Sequence, residues 1–329
     1  MTVFDLPDKK RPVPSVQAMD RWLSDAQKQT GVGAQRLGWL VASTVVVAAL
    51  QRALAADENP LFLVKGGVYI EFQLGLQART TSDVDTLFRG TLADFEERLD
   101  EALAQPWGPF ELVRTEIEVI DAPKLVKPRR FWVRLTTKGQ VWRRVQVEVS
   151  FPEGAMAEQV RPVPSPSIGF FGLEMPDELL GVAWDYQIAQ KLHAASDPDE
   201  EDYENQRVHD ILDLLLIKES IYPGRPSAAL KAACVDIFSY RAAEAIQLGR
   251  TARRWLPAFH INSFWRLAYP PLAESLGITL TLEQAVSAVE AWVAEIDRAD
   301  EQVSDASKIP AQSTTPNPNQ PDTIGTADQ

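Results

Sequence analysis

The chain predicts an α+β fold, with a mixed sheet in its N-terminal half and an all-helical C-terminal half. Three observations carry this. Short apolar or alternating runs at 61–64, 82–88 and through 110–151 have the length and two-residue period of strands. Longer segments before them, between them and beyond residue 177 have helical spacing. A proline-rich stretch, Arg161-Pro162-Val163-Pro164-Ser165-Pro166-Ser167, reads as a break between the halves. The 329 residues suffice for two domains. The expected boundaries are 1–160 for N-terminal helices plus an α/β core, 161–176 for a linker, 177–302 for a helical domain and 303–329 for a disordered tail.

Residues 14–30 follow Pro14 and place Val16, Met19, Trp22 and Leu23 at helical spacing. Residues 33–56 form a longer helical pattern, apolar nearly all round in its middle and therefore buried, which Glu58-Asn59-Pro60 ends. The run 61–64 reads as a buried strand, Gly66-Gly67 turns the chain into a helix near 68–76, and 82–88 is the next strand. Residues 91–104 set Leu92, Phe95, Leu99 and Leu103 on one helical face, and 110–120 alternate or nearly so. Segments 129–137 and 141–151 read as a hairpin turning at Lys138-Gly139. In its second arm Val145, Val147, Val149 and Phe151 face one side, and Gln146, Glu148 and Ser150 the other. Beyond the proline stretch, helices are expected over 177–195, 203–220, 226–247, 263–275 and 281–298, with an acidic solvated loop at 197–204. From about residue 303 the sequence is polar, with almost no apolar content, and is expected to be disordered.

Composition narrows the function. A single cysteine, Cys234, lies in an apolar helical pattern and reads as a small buried hydrophobe, which excludes a disulfide framework and a cysteine zinc site. Three histidines argue against a histidine-rich metal centre. A reducing compartment, the cytoplasm, is expected. The first ten residues lack the apolar segment of a secretory signal, and the longest apolar stretch, 37–50, is too short to span a bilayer. The net charge of −13 disfavours non-specific nucleic-acid binding. A local basic groove is nonetheless available, because Lys124, Lys127, Arg129, Arg130, Arg134, Lys138, Arg143 and Arg144 fall within twenty-one residues.

The chemistry concentrates in Lys65-Gly66-Gly67 and Arg79-Thr80-Thr81-Ser82-Asp83-Val84-Asp85. On a strand, Asp83 and Asp85 point to one face with Val84 behind them. Two hard oxygen ligands at one point suit Mg²⁺, and a glycine pair lets backbone N–H groups approach phosphates. A metal with a phosphate cradle is the minimum kit for moving a nucleotidyl group. Each motif alone is weak; Asp-x-Asp pairs are common on solvated edges and Gly-Gly is usually a turn. If the strand through Val145 neighbours the strand from Ser82, Glu148 joins the two aspartates, and three carboxylates on one face bind two divalent metals. Otherwise Glu148 is a solvent-facing residue among basic neighbours. In the helical half, Asp210 and Asp213 are spaced i, i+3 on one helical face, and Lys191 lies on the preceding helix, so an inward ion pair between the two helices is available. From spacing alone a structural salt bridge between two packed helices is favoured over a lysine aimed at phosphates.

At these residues the sequence resembles the AbiEii/AbiGii family of nucleotidyltransferase-like toxins from abortive-infection toxin–antitoxin systems. The resemblance lies in Gly66-Gly67 with Arg79-Thr80-Thr81-Ser82-Asp83-Val84-Asp85, in Lys191-Leu192-His193-Ala194, and in Arg207-Val208-His209-Asp210-Ile211-Leu212-Asp213-Leu214, and covers roughly 61–218. It implies a polymerase-β-like nucleotidyltransferase core and a helical C-terminal domain. It also implies a site in which Asp83 and Asp85 hold Mg²⁺, Lys191 contacts the phosphates of a nucleoside triphosphate, and Asp213 orients Lys191 or takes part in acid–base work. On this resemblance Lys65, Gly66, Gly67, Thr81 and Ser82 flank the nucleotide. The acceptor is expected to be RNA such as the tRNA 3′ end, docked on the basic hairpin, and the partner a cognate antitoxin. The sequence departs from the family at Val68, where many members carry Thr or Ser. Two alternatives follow: a catalytically impaired relative acting by binding protein or RNA, and a small-molecule, aminoglycoside-type nucleotidyltransferase.

Overall fold

The computed structural model describes residues 6–11, 13–201 and 203–299, and the expected tail from residue 303 lies outside them. Its element order is α1 (Val16–Thr30), α2 (Ala34–Leu50), β1 (Phe62–Lys65), α3 (Gly66–Leu74), β2 (Asp83–Phe88), α4 (Phe95–Leu103), β3 (Glu111–Arg114), β4 (Glu118–Val119), β5 (Arg129–Thr137) and β6 (Gln140–Ser150). There follow β7 (Val160–Pro164), β8 (Glu178–Val182), α5 (Trp184–Ala195), α6 (Val208–Ser220), α7 (Ala228–Gln247), α8 (Ser263–Ser275) and α9 (Leu282–Asp297).

One mixed sheet runs in the order β3-β5-β6-β2-β1-β8-β7, with β4 paired to β5. β2–β6 and β1–β8 are parallel, and the other pairs antiparallel. One face packs on α2. That helix is apolar nearly all round because Val41, Val45, Val46 and Ala49 are wholly buried against the sheet and α1. Val84, Phe88, Val145, Val147 and Val149 supply the sheet side of this core. Leu63 and Leu87 point the other way, into a second core with Leu192, Ile211, Leu214 and Trp265 of the helical half. The sheet face between the two halves is where polar side chains collect.

The structure corrects three expectations. The proline stretch read as a linker is largely β7, an edge strand paired to β8 through Pro162↔Leu180 and Pro164↔Glu178. Proline lacks the N–H of a central strand, and an edge asks for none on its open side. Residues 178–182, expected to begin a helix at 177, instead form β8, which pairs in parallel with β1 at Val64↔Gly181. A short apolar run fits either element, and sheet pairing decides. Helix α6 starts at Val208 rather than 203, because Asn205 is buried as a bracket: its Nδ2 donates to the carbonyls of Ala194, Ala195 and Asp197 at the end of α5. Cys234 is wholly buried, as expected. Among the described residues no single helix is long and apolar enough to cross a membrane.

Candidate active site

β2 presents Asp83 and Asp85 on one face, with Val84 wholly buried behind them. Its parallel register with β6 sets Asp85 opposite Glu148 and Asp83 opposite Gln146. Oxygens of Asp83, Asp85 and Glu148 lie within 4.8 Å of one another, each carboxylate half-buried. Burial, and then the charge of Asp85, raise the Asp83 carboxyl above its ordinary range, against a 3.0 Å hydrogen bond from Thr81 Oγ1. Glu148 Oε1 accepts from Arg130 Nε (2.9 Å), Arg130 Nη2 (2.6 Å) and Gln146 Nε2 (3.1 Å), and Oε2 accepts from no described residue. Three crowded hard-oxygen donors, one of them resisting ionisation, fit a divalent cation of the Mg²⁺ or Mn²⁺ type.

The glycine pair is dictated by this crowding. Lys65 ends β1 opposite Asp85, and α3 begins at Gly66. Gly66 has φ 65°, and a Cβ there would overlap Asp85 Oδ2; one at Gly67 would stand 2.8 Å from Thr81 Oγ1. Gly66 N–H donates to Gln187 Oε1 at 2.9 Å, and Gln187 Nε2 donates to the Val182 carbonyl at 2.8 Å. Val68 is wholly buried in the core on α3 and does not line the cleft.

Facing the carboxylates is a buried ion network on α5 and α6. Lys191 Nζ donates to Asp210 Oδ1 at 2.8 Å and to Asp213 Oδ2 at 2.7 Å. Arg79 grips Asp213 with both Nε (3.0 Å) and Nη2 (3.1 Å), and Arg207 Nε reaches Asp210 Oδ2 at 2.8 Å. Burial alone would raise the carboxyls of Asp210 and Asp213, yet Lys191 and the arginines beside them hold both below the ordinary range. Burial disfavours the Lys191 ammonium, but Asp210 and Asp213 override it and raise its pKa. Three cations against two anions leave one net positive charge beside the carboxylate trio. His209, next in line, is pushed down to about 4 by burial, against the pull of Asp210, and is neutral at pH 7.

These groups line one cleft of about 470 Å³. Lys65, Gly66, Gly67, Thr81 and Ser82 form one wall, Asp83, Asp85 and Glu148 its floor, and Lys191 with Asp210 the opposite wall. Asp213, expected as a catalytic residue, stands behind that wall and is fully buried. Sequence reasoning assigned no role to Gln187, Arg79 or Arg207. A signal for Gln187 was present, since it lies one helical turn before Lys191 and so on the same face. The grip of Arg79 on Asp213 joins residues 134 positions apart, and nothing local announces it.

A mixed sheet with a carboxylate trio beside a glycine-led helix is the frame of a nucleotidyltransferase, and this protein is one. More narrowly, residues 48–308 match the profile described as "Nucleotidyl transferase AbiEii toxin, Type IV TA system", and the chain belongs to that family. Among solved structures, MenT4, a nucleotidyltransferase toxin from Mycobacterium tuberculosis H37Rv, aligns at 16% identity over 89% of this chain and 97% of its own, with a TM-score of 0.46. ANT(2″)-Ia in complex with adenylyl-2″-tobramycin aligns at 14% identity over 61% and 97%, with a TM-score of 0.33. No curated protein matches the chain.

Proposed function

We propose that this toxin transfers a nucleotide from a nucleoside triphosphate to RNA, such as the 3′ end of tRNA, using Mg²⁺ held by Asp83, Asp85 and Glu148. The observation that carries the reading is the convergence of three carboxylate oxygens within 4.8 Å, in a cleft whose walls are a glycine pair and a lysine. When bound, the metal neutralises phosphate charge and activates the attacking hydroxyl. The triphosphate lies along Lys65, the close-approaching backbone of Gly66 and Gly67, and the hydroxyls of Thr81 and Ser82. Lys191 faces it and stabilises charge on the departing pyrophosphate. Asp213 and Asp210 hold Lys191 ionised and aimed; with both Asp213 oxygens already bonded, positioning is the role its surroundings support. The acceptor hydroxyl oxygen bonds to the α-phosphorus, the bond to the β-phosphate oxygen breaks, pyrophosphate leaves, and the hydroxyl proton passes to solvent.

Membership of a type IV toxin–antitoxin family supports a protein antitoxin as partner. The cations of the β5–β6 hairpin disfavour a cationic small-molecule acceptor. The test is incubation of the purified protein with total RNA, Mg²⁺ and each labelled nucleoside triphosphate, beside the Asp83→Ala variant. Label on a tRNA-sized band, absent with the variant, is the expected result. No transfer to RNA with any triphosphate overturns the reading.

A further inference from the structure

Glu148 lines the cleft and also belongs to the outer face of β5 and β6, where three successive cross-strand pairs form a stripe. The register sets Arg130 opposite Glu148, Trp132 opposite Gln146, and Arg134 opposite Arg144. The alternate residues Phe131, Val133, Leu135, Val145 and Val147 are buried on the other face. The pairs stand ~7 Å apart along the strands. The first contains a member of the carboxylate trio, so the stripe runs straight out from it.

Two features of the stripe are costly without a ligand. Arg134 and Arg144 face each other directly, and like charges so placed destabilise a sheet. Neither makes an ion pair among the described residues, although Arg130 beside them is bonded to Glu148. Between these two pairs stands Trp132, 37% exposed, flanked on β3 by Val113, which is 43% exposed and opposite Arg134. An open indole next to two unpaired guanidinium groups matches the alternation of base and phosphate in a single strand. It does not match a duplex, whose bases are stacked away from a flat surface.

We propose that this stripe docks single-stranded RNA, one base stacked on Trp132 and the adjoining phosphate held between Arg134 and Arg144, so that the strand's end lies at Asp83, Asp85 and Glu148. This rests on the reading of the protein as an RNA-directed nucleotidyltransferase, and narrows the acceptor to an unpaired strand.

The test is fluorescence anisotropy of a 5′-labelled 12-nucleotide single-stranded RNA with the full chain, without triphosphate, across a salt series. Trp132→Ala is expected to weaken binding about 5- to 150-fold. The pair Arg134→Gln with Arg144→Gln is expected to lower the slope of log K against log salt by about 0.7, for the one phosphate no longer neutralised. Lys28→Gln, a neutralised lysine on the exposed face of α1, is expected to change neither, and circular dichroism checks that every variant is folded. Equal binding of a blunt duplex, an unchanged slope, or displacement of RNA by polyglutamate with no effect of Trp132→Ala overturns the proposal, the last in favour of an acidic protein occupant. The enzymatic reading separates cleanly. Label transfer with unchanged half-saturation by RNA in the double variant overturns the stripe alone. Stripe-dependent binding without transfer by the unmodified protein overturns the RNA-transfer reading and leaves the stripe as a binding surface.

Discussion

The Arg79 guanidinium lies side-on to the Asp213 carboxylate, Nε to Oδ1 at 3.0 Å and Nη2 to Oδ2 at 3.1 Å. This bidentate pair ties the segment that leads into β2 to α6, and so fixes the carboxylate trio relative to Lys191. Such planar pairing resists replacement of arginine by lysine. Arg79→Lys is therefore expected to keep the charge but lower transfer by ten-fold or more, and a lowered kcat beside a near-normal melting point checks it.

Asp83→Asn removes a charge that burial and Asp85 already oppose. Without divalent cation the variant is expected to melt at or above the unmodified protein. Added Mg²⁺ is expected to raise the melting temperature of the unmodified protein and not of the variant. Transfer is expected to fall by at least ~100-fold, the scale of losing one preorganised electrostatic group. Differential scanning fluorimetry and labelled transfer read the two effects.

Lys191→Met leaves Asp210 and Asp213, both fully buried, short of one cation. Breaking a buried pair by removing one partner costs about 3–5 kcal/mol. Arg79 and Arg207 remain, so a loss near the lower end, about 3 kcal/mol, is expected in urea unfolding. A loss within experimental error would mean that the lysine is not held as described.

Gly66→Ala is expected to spare the fold and damage the site. The residue sits at φ 65°, where a side chain costs about 1 kcal/mol, and its methyl group meets the Asp85 carboxylate. Loss of the Mg²⁺-dependent rise in melting temperature, with an unchanged far-ultraviolet spectrum, is the outcome to look for.

His193 supplies a pH dependence. Its Nδ1 meets Arg241 Nη1 at 3.1 Å and Arg253 Nη2 at 3.0 Å, and so accepts from both. Burial, then those two guanidinium groups, push its pKa down to about 2. The unfolded chain binds this proton near pH 6.5, while the folded chain refuses it until about pH 2. Stability is therefore full above pH 6.5 and lost as pH falls, by up to about 1.4 kcal/mol per unit between 6 and 4, before ordinary carboxylates titrate. In His193→Gln that slope is expected to fall by about half in urea titrations over the same window, because His209, pushed down to about 4, keeps its own share.

The Asp83–Asp85 pair was legible in the sequence because it is local, i, i+2 on one strand, and the hairpin alternation put Glu148 on the polar face, while the β2–β6 pairing that joins the three entered only as a condition. Lys191, Asp210 and Asp213 were legible as charges on successive helices able to pair, and the geometry that joins Lys191 to both aspartates was not. The departures share one physical cause. Whether 178–182 is strand or helix, and whether prolines 162 and 164 mark a linker or an edge, depends on β1 being free to accept another strand. Gln187 and Arg79 likewise take their roles from partners 121 and 134 positions away.

The carboxylate trio spans a parallel pairing of β2 with β6, and its opposing lysine is fixed only by α6. A growing chain therefore cannot assemble the site until residue 213 has been made and has left the ribosome. The first 150 residues carry Asp83, Asp85 and Glu148, and the lysine with the aspartates that hold it comes only after residue 190. The cleft is therefore the joint product of two halves of the chain, and neither half carries it alone.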